Sequence, residues 1–147
     1  MLKGIDSRMP ADLLDVLMRM GHGDEIAVVD CNYPAHSSAA GTVTGRVIEL
    51  PGFSAPEAIE MVCTLMPLDP FVPEGALWME VDGKGAQPNP VHEEAIAILA
   101  REMPEGGGVG AIARQDFYAR ARQGFAVLRC TETRGYGCFI LRKGVIL

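Results

Sequence analysis

The segment Gly21-His22-Gly23-Asp24-Glu25-Ile26-Ala27-Val28-Val29-Asp30 decides the fold class. Its run from Ile26 to Val29 is short, continuously apolar and rich in β-branched residues. That is the pattern of a strand buried on both faces, as in the parallel sheets of α/β proteins. The strand stops at Asp30, which places a carboxylate at its carboxyl end. Upstream, Leu13, Leu14, Leu17 and Met20 share one helical face, so a helix is expected from about Pro10 to Met20, with Pro10 in its first turn and Gly21 ending it.

Downstream, Cys31 to Gly45 lacks periodicity and carries Asn32, Pro34, Ser37 and Ser38, which reads as loop. Val47 to Leu50 is a second short strand. Ser54-Ala55-Pro56-Glu57 has the capping-box pattern, and Ala58, Ile59, Val62, Cys63 and Met66 recur at helical spacing up to Pro67. A proline-rich turn follows, then a strand from Ala76 to Val81 and a turn at Asp82-Gly83-Lys84-Gly85. Asn89-Pro90 starts a third helix by cap and first-turn proline, with Ala95, Ile96, Leu99 and Ala100 on its buried side. Beyond Glu105-Gly106-Gly107-Gly108 come a strand near Val109 to Ala113, a short helix near Asp116 to Arg122, and strands at about Phe125 to Thr131 and Cys138 to Arg142. The alternation predicts an α/β fold whose sheet is at least partly parallel.

The chain has 147 residues, enough for one domain with one sizeable core. Its apolar fraction, 48%, is more than so short a chain can hide, which points to burial between subunits. The net charge of -6 repels a phosphate backbone, and Arg114, Arg120, Arg122, Arg129, Arg134, Arg142 and Lys143 are interrupted by apolar residues, so no nucleic-acid partner is expected. Cys31, Cys63, Cys130 and Cys138 are far apart and form no C-x-x-C pair, consistent with free thiols in a reducing compartment. Lys3, Asp6 and Arg8 interrupt the N-terminal region, so neither a secretory signal nor a membrane span is expected, and the expected location is the cytoplasm.

Gly106-x-Gly108-x-x-Ala111 imitates a dinucleotide fingerprint, but it follows a predicted helix rather than a strand and reads as a turn. Phosphate-loop and nucleophile-elbow motifs are absent. Of the three histidines, His92 stands beside Glu93 and Glu94 and reads as a solvated surface residue. His22 lies between two glycines that leave its imidazole uncrowded, and His36 lies in the loop leaving the same strand. His22, Asp24 and His36 are residue types that bind zinc, yet their spacing matches no ligand pattern, so neither metal nor cofactor is expected.

Together, Met1-Leu2-Lys3-Gly4-Ile5, Met20-Gly21-His22-Gly23-Asp24-Glu25-Ile26 running to Asp30, Pro34-Ala35-His36-Ser37, Arg114-x-x-Phe117-Tyr118, Tyr136-Gly137-Cys138 and Leu141-x-Lys143-Gly144-Val145 resemble the RbsD/FucU sugar mutarotases, over nearly the whole chain. The Pro34-Ala35-His36-Ser37 loop and Arg114 resemble the L-fucose branch more than the ribose branch.

The resemblance implies a single mutarotase domain over residues 1–147, folded as a three-layer α/β sandwich with a mostly parallel or mixed sheet. It implies assembly into ring-like homodecamers with active sites near subunit contacts. It also implies His22 as the catalytic residue and Asp30, Arg114, Tyr136, Gly137 and Cys138 as substrate-binding residues; Asp24, His36 and Tyr118 are possible additions. Fucose mutarotases commonly carry asparagine after Tyr-Gly, where this chain has Cys138, and a thiol lacks an amide's donor and acceptor pair. The implied partner is a monosaccharide, most simply L-fucose. Ribose pyranase-like activity and non-catalytic sugar binding linked to transport stand as alternatives.

Overall fold

The computed structural model describes residues 1–147 as one six-stranded sheet covered by five helices. In chain order the elements are α1 (Ala11–Arg19), β1 (Glu25–Val29), α2 (Ala35–Ala39), β2 (Val47–Leu50), α3 (Ala55–Cys63), β3 (Ala76–Met79), α4 (Pro90–Glu102), β4 (Val109–Ile112), α5 (Arg114–Arg122), β5 (Ala126–Cys130) and β6 (Phe139–Arg142). Strand order across the sheet is β2-β5-β1-β6-β3-β4. β1 and β2 both pair parallel with β5, and β3 pairs parallel with β4. β6 runs antiparallel to both β1 and β3, so five strands point one way and the last strand is wedged between them in reverse.

The apolar run of β1 is divided between two cores by the period-2 alternation of a strand. Ile26 and Val28 face a large cluster formed with Leu13, Val16 and Leu17 of α1, Ile59 and Val62 of α3, and Leu99 of α4. Ala27 and Val29 face a smaller cluster with Ala35 and Ala39 of α2 and Phe117 and Ala121 of α5. The result is the expected three-layer α/β sandwich. Phe117 is fully buried in the smaller layer, a burial that stabilises by roughly 1.5–3 kcal/mol.

The helix starts follow their sequence signals. The Ser54 side chain accepts a hydrogen bond from the Glu57 backbone N–H, and the Glu57 carboxylate accepts one from the Ser54 N–H. Asn89 caps α4 in the same manner, but its reciprocal partner is His92. Here the structure corrects the sequence reading. His92 is fully buried rather than solvated, and α4 buries Val91, His92, Ala95 and Leu99 while Ala100 is exposed. The expected loop from Cys31 to Gly45 also contains a helix, α2, which buries its small residues Ala35, Ser38 and Ala39. Finally, α3 ends at Cys63 although Met66, still buried, continues its apolar spacing.

The cationic residues are mostly paired. Arg120 bonds Glu25, Arg129 bonds Glu49, Arg134 bonds both Glu94 and Glu132, and Arg142 bonds Asp69. They therefore form no continuous basic surface. All four cysteines are free. No helix is long and apolar enough to cross a membrane.

Candidate functional site

The carboxyl ends of β1, β3 and β4 lie at one edge of the sheet, and the antiparallel β6 begins there. Ligands of open α/β sheets bind at this edge, where successive connections diverge. A cavity of about 390 Å³ opens there, within the roughly 300–1,000 Å³ range of small-molecule sites. Asp30, Arg114, Tyr118, Tyr136 and Cys138, all named from the sequence, line it. So do Asn32, Tyr33, Met79, Asp82 and Gly135, none of which the sequence marked as a site residue.

Asp30 is 3% exposed, and its carboxylate is built into the backbone around it. Oδ1 accepts from the N–H groups of Asn32 and Tyr33, both at 3.0 Å, and Oδ2 accepts from Gly137 N–H at 3.1 Å. A carboxylate has about four lone-pair positions, so one remains for a ligand hydroxyl. Gly137 is required by close approach: an added Cβ would come within 2.7 Å of Glu132 Cγ and 3.6 Å of Asp30 Cβ.

Arg114, the first residue of α5, pairs with Asp82 at 2.8 Å and lies 5.7 Å from the centre of the Tyr118 ring. Asp82, in the turn after β3, thus orients the guanidinium at the pocket rim. Tyr33 donates to or accepts from Ser38 Oγ at 2.9 Å and meets the Tyr118 ring edge-on at 5.1 Å. Burial raises the Tyr33 phenol above its ordinary range and keeps it protonated.

Cys138 is buried, and burial, reinforced by the nearby Asp30 carboxylate, pushes its thiol well above the ordinary range. Its backbone N–H is spent on Tyr136 O at 2.7 Å and its carbonyl on Met79 N–H at 3.0 Å. At the cavity, position 138 therefore presents a neutral thiol rather than a free main-chain N–H. The loop before it is anchored by Glu132, 3% exposed, which accepts from Ala55 N–H at the start of α3 and from Arg134. Burial alone would raise the Glu132 carboxyl; the bonds from Arg134 and Ala55 overcome this and hold it at about 2.

His22 stands elsewhere. It precedes β1, whereas Asp30 follows it, and β1 spans roughly 16 Å at about 3.3 Å per residue. The imidazole is half exposed, its Nε2 3.2 Å from Oδ1 of the buried Asp69. Asp69 also accepts from Phe71 N–H at 3.0 Å and from Arg142 Nε at 2.9 Å. Burial raises the Asp69 carboxyl, but these bonds outweigh it and hold the group below the usual carboxylate range. The Phe71 ring, itself exposed, meets the imidazole edge-on at 5.8 Å.

The turn carrying His22 is held from several sides. Lys143 Nζ donates to the carbonyls of Leu17 and Met20 at the end of α1, at 2.8 and 2.6 Å, and Gly23 N–H donates to the Lys143 carbonyl. Gly23 sits at φ +86°, a conformation that favours glycine, and a Cβ there would meet the Arg142 guanidinium at 3.1 Å. Asp24 accepts from Gly21 N–H at 2.7 Å and so closes the turn.

The predicted residues therefore fall into two groups at opposite edges of the sheet, with His22 and Asp24 at one and the Asp30 pocket at the other. His36 joins neither: its side chain is exposed on α2 and lies 3.8 Å from Glu49. No set of three His, Cys, Asp or Glu side chains is close enough to share a metal ion, so His22, Asp24 and His36 do not converge. Asp69 was not legible as a site residue because its partners, His22 and Arg142, are distant in sequence.

The fold and cavity define a three-layer α/β protein with a small, partly polar pocket at the carboxyl edge of its sheet. Within that class, the chain belongs to the RbsD / FucU transport protein family, whose model matches residues 3–146. It is 41% identical over 152 residues to a protein named fucose mutarotase from Homo sapiens, covering 99% of this chain and 94% of the relative. A protein named L-fucose mutarotase from Haemophilus influenzae strain 86-028NP is 35% identical over 146 residues, covering 99% of this chain and 97% of that one. The crystal structure of the fucose mutarotase in complex with L-fucose from Streptococcus pneumoniae superposes with a TM-score of 0.85 at 33% identity, covering 99% of this chain and all of that one.

Proposed function

We propose that this chain is a mutarotase that interconverts the α and β anomers of L-fucose. The observation that carries the reading is the Asp30 pocket, a buried carboxylate with one free acceptor position beside a guanidinium and tyrosine side chains. Sugar hydroxyls are both donors and acceptors, and this set answers both. Met79 adds an apolar wall suited to the methyl group of a 6-deoxy sugar. The relatives named fucose mutarotase support that substrate.

Anomer exchange needs no redox step. The ring oxygen gains a proton while the anomeric hydroxyl loses one, the bond from the anomeric carbon to the ring oxygen breaks, the aldehyde turns by half a rotation, and the ring recloses with the proton returned. Histidine gives and takes protons near neutral pH. With Nε2 of His22 held by Asp69, Nδ1 is the nitrogen left to exchange one.

His22 and the pocket of the same copy lie at opposite sheet edges, so catalysis by His22 requires that a neighbouring copy bring its His22 to the pocket. The exposed Met18, Val43 and Phe71 side chains and the high apolar fraction support such association, and the family resemblance favours a decamer. Four free thiols fit a cytoplasmic setting. The same separation favours one other reading, sugar binding without catalysis by a lone chain.

NMR saturation transfer between anomers separates the two. L-fucose exchange is expected to rise above the buffer rate in proportion to protein concentration, with a smaller rise for D-ribose. Saturable fucose binding with exchange at the buffer rate would instead establish the binding protein.

A further inference from the structure

Tyr136, which lines the pocket, is the single non-glycine residue at positive φ, +63°. Bulky residues seldom adopt this conformation, so its surroundings must hold it there. Its carbonyl accepts from Cys138 N–H at 2.7 Å and contacts His92 Nε2 at 2.8 Å. His92 comes from α4 and is not among the residues that line the cavity. Its ring is fully buried, tilted on Trp78 at 4.6 Å and edge-on to Phe139 at 5.9 Å.

The tautomer follows from the other nitrogen. His92 Nδ1 accepts from Asn89 N–H at 3.1 Å, so the ring proton sits on Nε2 and is donated to the Tyr136 carbonyl. Both nitrogens are thus committed, which leaves His92 no proton to exchange with a sugar. Asn89 adds a bond from its side-chain amide to the Gly135 carbonyl at 3.1 Å. On the far side of the loop, Gly137 N–H reaches Asp30.

We propose that His92 is a positioning residue: by clamping the Tyr136 carbonyl it fixes the backbone turn that sets both the Tyr136 side chain and the Gly137 N–H bond to Asp30. The inference rests on the reading of the Asp30 pocket as the sugar site. His92 touches no ligand, and its effect is transmitted wholly through the loop.

Full-length His92→Phe and His92→Gln variants test this. Phenylalanine fills the space between Trp78 and Phe139 without a donor, whereas the glutamine amide reaches the Nε2 position and donates to the carbonyl. His92→Phe is expected to raise KM for L-fucose about tenfold with kcat changed less than about threefold, as for loss of one buried hydrogen bond outside the reacting centre. His92→Gln is expected to recover KM to within about threefold of the parent. Hydrogen–deuterium exchange of the 132–139 segment should rise in His92→Phe and fall back in His92→Gln.

A parental KM in His92→Phe, or equal exchange of this segment in all three proteins, overturns the proposal. So does a common loss of melting temperature in both variants without the split in KM, which is what bulk destabilisation would give. If the parent neither binds nor exchanges fucose, the functional reading fails on its own, and the deuterium exchange of the 132–139 segment still decides whether His92 clamps the loop.

Discussion

Replacing His22 with alanine is expected to lower fucose anomer exchange by roughly 10²–10⁴-fold, the range over which a general acid–base group acts, with the fold intact. The side chain is half exposed and spans no core. Its removal leaves Asp69 bonded to Phe71 N–H and Arg142, so no buried carboxylate is orphaned. Exposed substitutions away from such features usually stay within about 0.5 kcal/mol, so melting should barely move. Saturation transfer on parent and variant, with circular dichroism melting alongside, checks both parts. Equal exchange in the two proteins would remove His22 from the mechanism.

Asp30→Ala is expected to do the opposite to the balance of binding and stability. A hydrogen bond to a charged group is worth about 1.5–3 kcal/mol, so loss of the carboxylate should raise KM for fucose by about 10- to 150-fold. It also leaves the buried Gly137 N–H without its acceptor and removes the side-chain acceptor of Asn32 and Tyr33, of which Tyr33 keeps the residue 30 carbonyl at 3.3 Å; an unmet buried donor costs about 1–3 kcal/mol. The variant should therefore melt at a lower temperature as well as bind weakly, as calorimetry and a fucose titration would record. Unchanged fucose affinity would mean that the sugar lies outside this pocket.

Most of the architecture was legible because local signals and the global fold agree. The Ser54 capping box, the Asn89-Pro90 start and the apolar runs of β1 and β2 each specify one local structure, and packing did not override them. Other features depended on tertiary context. Strand direction is invisible in a run such as Phe139 to Leu141, because a strand buried on both faces reads alike in either sense. For α2, five small and polar residues carry no apolar period. His92 was misread from its neighbours Glu93 and Glu94, although its spacing to Ala95 and Leu99 marks the buried face of α4.

The candidate site was legible in its residue types more than in its geometry. Asp30 was placed at a strand's carboxyl end by the apolar run alone, and the resemblance supplied Arg114, Tyr136, Gly137 and Cys138. The separation of His22 from them follows from strand polarity: residues before and after one strand lie at opposite edges. Asp69 lies in a proline-rich turn with no periodicity, and its tie to Arg142 crosses 73 positions of sequence.

The most direct test is complementation between two defective chains. His22→Ala and Asp30→Ala are each made alone and then co-expressed at equal levels, and fucose anomer exchange is measured on the purified mixed assembly. If His22 of one copy serves the Asp30 pocket of another, random mixing restores both groups at about a quarter of the sites, and exchange should rise toward that fraction of the parental rate. Exchange no greater than the sum of the two variants assayed separately would contradict a site shared between copies.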